Sequence, residues 1–229
     1  MNPRILFLAT SVWLLFSTSA MAVTINFDDV VGSEVDITSQ YAGLGVTLNA
    51  IANPFPLSGV FPAPATLPAI FGGVTTWTEG FASATSAPQV AVAAETAETG
   101  DPGDGGILIS FAFDVSFVSL VGNDLGGIGF NDDESVTLTA YDALGNLIGQ
   151  SFSNVNLPAG LLAQTPASIA FPNMRYVAFN YTDTLFGFYA IDDLTFTPAG
   201  TGVPEPSTLL LFVTGLFGLS DSVRRRLRK

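Results

Sequence analysis

Ser135-Val136-Thr137-Leu138-Thr139-Ala140-Tyr141-Asp142-Ala143-Leu144-Gly145-Asn146-Leu147-Ile148-Gly149-Gln150-Ser151-Phe152 is the stretch that decides the fold class. Val136, Leu138 and Ala140 alternate with Ser135, Thr137 and Thr139. A period of two places one set on a buried face and the other on the opposite face, which is the pattern of a half-buried strand. Asp142-Ala143-Leu144-Gly145-Asn146 breaks the run, and Gly145 is free to take a positive φ. Leu147–Phe152 then returns, so the whole stretch reads as an antiparallel hairpin.

The same reading extends in both directions. Strands are predicted at Val23–Phe27, Val46–Ala50, Val74–Trp77, Gln89–Ala93, Ile107–Phe113, Phe117–Gly122, Ser168–Phe171, Tyr176–Tyr181 and Tyr189–Thr197. β-branched and aromatic residues fill these runs. Helical spacing is absent apart from the two chain ends and a short turn near Thr38-Ser39-Gln40-Tyr41. Residues 53–68 carry Pro54, Pro56, Pro62, Pro64 and Pro68, and residues 94–106 hold almost no large apolar side chain, so both read as loops. There is no internal repeat. Many short strands with frequent turns in one body predict an all-β fold, an antiparallel β-sandwich of jelly-roll type, with a barrel as the alternative.

Composition narrows the chemistry. The chain has 229 residues, no cysteine and no histidine, and 20 acidic against 7 basic side chains. Disulfides, thiolate metal sites and a cysteine nucleophile are excluded, as is a Ser-His-Asp triad. A net charge of −13 argues against nucleic acid, whose phosphates need clustered Lys and Arg. Mean hydropathy is +0.47 with only 12% charged residues, so this is no acidic disordered chain.

Six of the seven basic residues lie at the ends, Arg4 at one and Arg224, Arg225, Arg226, Arg228 and Lys229 at the other. After Arg4 comes an apolar run from Ile5 to Phe16, then Ser17-Thr18-Ser19 and Ala20-Met21-Ala22. Ala20 and Ala22 supply the small residues that signal peptidase reads, so residues 1–22 have the layout of a secretory signal helix and Val23 becomes the first mature residue. At the far end, residues 203–229 run from Val203-Pro204-Glu205-Pro206-Ser207-Thr208 through apolar Leu209–Leu219 to the arginines. Residues 208–223 would make about 24 Å of hydrophobic helix, short for a permanent span of a ~30 Å hydrocarbon core. The basic end resists translocation and stays on the cytoplasmic side. Between these ends residues 23–202 form the β domain. It holds 18 acids, all but Glu205 and Asp221, against Arg175 alone, a net charge of −17.

Val203 to Lys229 resembles the PEP-CTERM sorting signal of bacterial exosortase substrates. The resemblance implies a Gram-negative host, a transmembrane intermediate in the inner membrane, and processing near Pro204-Glu205-Pro206. Delivery to the cell surface or the extracellular matrix would follow, often alongside exopolysaccharide. In that layout Arg224, Arg225 and Arg226 are the retention cluster. Asp221 departs from it, an acid between the apolar run and the arginines.

The body is similar to galactose-binding-like jelly rolls, on Ile25-Asn26-Phe27-Asp28-Asp29, Leu138-Thr139-Ala140-Tyr141-Asp142 and Ile191-Asp192-Asp193-Leu194-Thr195-Phe196. In such domains the first and last strands lie side by side and can share a structural calcium. That likeness assigns Ca²⁺ to Asp28 and Asp193, against the plainer reading of paired aspartates as turn formers. Trp77, beside Thr78-Glu79-Gly80, is the leading ligand-binding aromatic, with Tyr41, Phe81, Tyr181, Tyr189 and Arg175 also available for a sugar. No catalytic residue is assigned. The expected function is a non-catalytic surface or matrix protein contacting exopolysaccharide. The alternatives are a carboxylate-dependent carbohydrate-active hydrolase and a purely structural matrix protein.

Overall fold

The hairpin turn is held by its own aspartate. Asp142 Oδ1 accepts the backbone N–H of Leu144 at 2.8 Å and of Asn146 at 2.9 Å, while Oδ2 accepts the Asn146 side-chain amide at 3.0 Å. Gly145 takes φ 81° and closes the loop. The donors, the Asn146 side chain first and its backbone N–H next, hold the Asp142 carboxyl below its ordinary pKa. A depressed carboxylate pKa contributes stability that is present above the unfolded value and is lost as pH falls through the folded one. Asp142→Ala should therefore lower Tm at neutral pH, and its deficit should shrink in thermal melts as pH falls from the ordinary carboxylate pKa toward Asp142's lowered one.

The computed structural model describes residues 21–52, 64–78, 89–93, 105–124, 133–156, 164–182 and 189–200; the side chains of 77, 78, 124, 133, 134, 154–156 and 182 fall outside that description. The expected signal helix and C-terminal hydrophobic helix lie outside the described residues, among which no helix is long and apolar enough to cross a membrane.

Eleven strands are described: β1 Val23–Ile25, β2 Val46–Ile51, β3 Ile70–Gly72, β4 Val74–Thr78, β5 Gln89–Ala93, β6 Gly106–Asp124, β7 Asp133–Tyr141, β8 Leu147–Asn156, β9 Gln164–Ile169, β10 Met174–Thr182 and β11 Tyr189–Pro198. All their pairings are antiparallel. One 3₁₀ turn, Ala42–Leu44, follows directly on the helical turn expected at 38–41.

β6 makes this a sandwich. Its first half, residues 106–111, pairs with β2 and β10; its second, 115–124, pairs with β11 and β9. One layer therefore runs β3-β2-β6-β10-β7-β8 and the other β4-β5-β11-β6-β9, with β1 also paired to β11. The sequence suggested two strands here, because Asp114 and Ser116 interrupt the apolar run; they mark the corner where a single strand changes layers. Arg175 on β10 fastens that corner. Its Nε donates to Asp114 Oδ1 at 3.1 Å, Nη2 lies 3.0 Å from the same oxygen, and Nη1 donates to the Ala112 carbonyl at 2.6 Å. The buried positions shift in parity across the corner, from Ile107, Ile109 and Phe111 to Val118 and Leu120. That is the signature of a bulge.

The core lies between the layers. Val46, Leu48, Val136, Leu138, Val177, Phe179 and Tyr181 from one meet Val118, Leu120, Ile169, Tyr189, Ile191, Leu194 and Phe196 from the other. Gly122 has to lack a side chain, because a Cβ there would sit 2.7 Å from Val136 Cγ2 and 3.4 Å from Phe179 Cε2. The outer edge of β4 is covered by residues 34–37: Glu34 N donates to Thr76 O at 2.6 Å, Ile37 N to Val74 O at 2.8 Å, and Thr76 N to Val35 O at 2.9 Å. Covering it removes a free edge that would recruit other strands. Two strands differ from expectation. β3 was not among the predicted strands, its three residues being too few to show a period, and β9 starts at Gln164 with Pro166 inside it. Pro166 is tolerated because β9 pairs on one side only, with β6.

Candidate functional site

β11 positions the site. One of its edges is shared end to end by two strands, β5 opposite Ala190 and Ile191 and β1 opposite Leu194, Thr195 and Phe196. The expected adjacency of first and last strands is therefore present. Where β5 hands over to β1, the register of β11 slips between Asp192 and Thr195, and Asp193 takes φ 49°. The extra residue flips the face: Tyr189 and Ile191 point into the core before it, Leu194 and Phe196 after it. Asp192 is buried, and its Oδ1 accepts the N–H of Asp193 at 2.8 Å. Asp193 stays half exposed.

Asp28 closes the gap between β1 and β5. Its Oδ1 accepts the backbone N–H of Gln89, the first residue of β5, at 3.2 Å, and its Oδ2 accepts the Asn26 amide at 3.1 Å. Asp29 accepts the Tyr41 hydroxyl at 2.7 Å, and burial followed by that carboxylate raises the Tyr41 pKa. Asp28 and Asp193 thus flank one junction of the fold. Among the described residues no group of three or more acidic side chains gathers in one place; a calcium ion there would draw its other oxygens from backbone carbonyls and water.

Asp193 belongs to a groove of about 500 Å³. Phe117, Ser119 and Val121 of β6 and Asp193 and Thr195 of β11 line it, with Pro166 and Ser168 of β9 and Ser151 and Ser153 of β8. Ser119 and Val121 alternate with the core residues Val118 and Leu120, and Thr195 with Leu194 and Phe196, so these side chains lie on the face of the second layer turned away from the core. Thr195 also shares a hydroxyl contact of 2.8 Å with Thr24 of β1. The lining offers five hydroxyls, one carboxylate and one half-buried phenyl ring, and no base. It can exchange hydrogen bonds with a polyhydroxylated ligand and stack one apolar face against Phe117.

The other aromatic candidates are core residues. Tyr181 and Tyr189 are fully buried and stacked with ring centroids 4.0 Å apart, and Tyr41 packs edge-on against Phe27 at 5.7 Å. Burying the rings and stacking them outweighs display to solvent. Arg175 serves the β6 corner instead of a ligand. Trp77 lies in β4, its backbone opposite Val90, and its side chain and Phe81 are outside the described residues. Phe117 was missed, because its apolar run reads as core; the one available signal is the alternation Phe117-x-Ser119 on β6 beside Asp193-x-Thr195 on β11.

Fold and groove together describe an all-β sandwich with a hydroxyl-lined outer face. Residues 202–229 match the family model described as the PEP-CTERM protein-sorting motif. The chain carries this sorting signal, which marks an exported protein processed by exosortase at the membrane. No curated protein matches the chain. Among solved structures it is similar to a DUF4465 family protein from Bacteroides caccae, at 12% identity and TM-score 0.43, covering 78% of this chain and 99% of that one. It is also similar to the K2 cleaved adhesin domain of Lys-gingipain from Porphyromonas gingivalis, at 12% identity and TM-score 0.41, covering 77% and 99%. A third is the Clostridium thermocellum endo-1,4-beta-D-xylanase 10B comprising CBM22-1 and GH10 modules, at 12% identity and TM-score 0.38, covering 81% of this chain and 30% of that one.

Proposed function

We propose that the exported body is a non-catalytic binding module that contacts polysaccharide at the cell surface or in the extracellular matrix through the groove centred on Asp193 and Phe117. The observation that carries this is the lining: hydroxyls of Ser119, Ser168 and Thr195 and the phenyl ring of Phe117 from the second layer, joined by Ser151 and Ser153 of β8, in a protein tagged for export. Against hydrolysis stands the count of carboxylates. A glycosidase commonly needs a pair about 5–9.5 Å apart, and among the described residues the groove is lined by one carboxylate, Asp193.

The test is affinity electrophoresis of the processed protein in gels containing the producing organism's extracellular polysaccharide. Retardation supports the module. Burying a phenyl face against sugar is worth roughly 1.5–3 kcal/mol, so Phe117→Ala should weaken retardation by about tenfold or more. Sugar release would favour the hydrolase, and unretarded migration the purely structural matrix protein.

A structural calcium on Asp28 and Asp193 is a second, separable proposal. Its support is that Asp28 anchors the first residue of β5 while Asp193 sits at the β11 bulge where β5 hands over to β1, and that an 18-acid body gains stability from any cation binding only its folded state. Thermal melts in calcium and in EDTA decide it: a Tm several degrees higher in calcium is expected, and identical curves remove the proposal.

A further inference from the structure

Resting on the groove reading above, we infer that the polysaccharide recognised is an uncharged one, with Asp193 as the acceptor for a pair of neighbouring ligand hydroxyls. Three observations converge. The lining contains no base, only Ser119, Ser151, Ser153, Ser168 and Thr195 around one carboxylate. The body carries a single base for 18 acids, and that base is spent: all three nitrogens of Arg175 are engaged by Asp114 and the Ala112 carbonyl. Asp193 is held in the groove by the β11 bulge, on a backbone at φ 49° that aspartate tolerates better than most side chains.

The chemistry follows from these. An ionised carboxylate has two acceptor oxygens and no donor, so it matches two adjacent O–H groups of a sugar ring, while serine and threonine hydroxyls both donate and accept. Hydrogen bonds to an ionised acceptor are roughly twice as strong as neutral ones. A uronate or sulfate would meet the Asp193 charge with no Arg or Lys side chain in the lining to offset it, inside the field of a strongly anionic body. Repulsion of that kind selects against anionic polymers most strongly at low salt.

The experiment fractionates the organism's extracellular polysaccharide by anion exchange into uncharged and anionic pools. Affinity electrophoresis then uses each pool with the processed protein, at low salt and in EDTA. We expect retardation by the uncharged pool at least tenfold stronger than by the anionic pool. Asp193→Asn, which keeps a side chain suited to the bulge, should lose about tenfold in binding to the uncharged pool while its Tm stays near the parent's. Equal or stronger retardation by the anionic pool overturns the inference and leaves the groove as a polysaccharide site. Retardation by neither pool overturns the groove reading, and the inference with it. Unchanged binding by a folded Asp193→Asn protein removes Asp193 as the acceptor.

Discussion

Phe179→Ala should destabilise the protein by about 3–5 kcal/mol, the range for deleting a buried phenyl ring. Phe179 is fully buried on β10, with its ring near that of Tyr181 at 6.4 Å and its Cε2 facing Gly122 in the opposite layer. It is therefore a wedge between the layers at a point where β6 gave up its side chain to admit it. Truncation loses the transfer free energy and leaves a cavity beside Gly122 and the Tyr181 ring. For a body of this size each kcal/mol is worth roughly 2–4 °C, so Tm should fall by roughly 6–20 °C in a thermal melt followed by circular dichroism. The complementary change, Gly122→Val, overpacks the same contact and should cost about 1–3 kcal/mol. A Phe179→Ala protein melting within a degree or two of the parent would mean that the layers do not meet there.

The second large effect concerns delivery. Replacing Pro204, Glu205 and Pro206 together by alanine should abolish processing while leaving the apolar run and the arginines intact. The precursor should then stay in the membrane fraction with its C-terminal tail attached, since the basic cluster still resists translocation. The parent chain should appear shortened at its C-terminus. Fractionation followed by intact-mass measurement reads both outcomes, and wild-type processing of the triple variant would show that the Pro-Glu-Pro stretch is not what the enzyme recognises.

Much of the fold was legible because most strands bury at least one face. The hairpin through Gly145 appears where its alternation placed it, and Gln89–Ala93, buried along its whole length, appears where a short apolar run placed it. What periodicity cannot show is a strand serving two layers. Asp114 and Ser116 look like the end of one strand and the start of the next, and only Arg175, 61 residues away from Asp114 in sequence, reveals a fastened corner. The site was harder to read. Asp193 was picked out by likeness to calcium-bearing jelly rolls, and the structure puts it in a groove because a bulge resets the face of β11. Tyr181 and Tyr189 carry hydroxyls that suit a sugar platform, yet their stacking within the core consumes them. Phe117 points the other way although its neighbours are apolar, since a one-residue slip in β6 reverses inside and outside. Such slips depend on pairing partners far along the chain, which local pattern does not encode.

The most direct test of the whole account is the intact mass and location of the protein isolated from its producing organism. The account predicts a chain outside the cytoplasm, beginning at Val23 and ending near Pro204-Glu205-Pro206. A chain running from Met1 to Lys229 in the cytosol would contradict it.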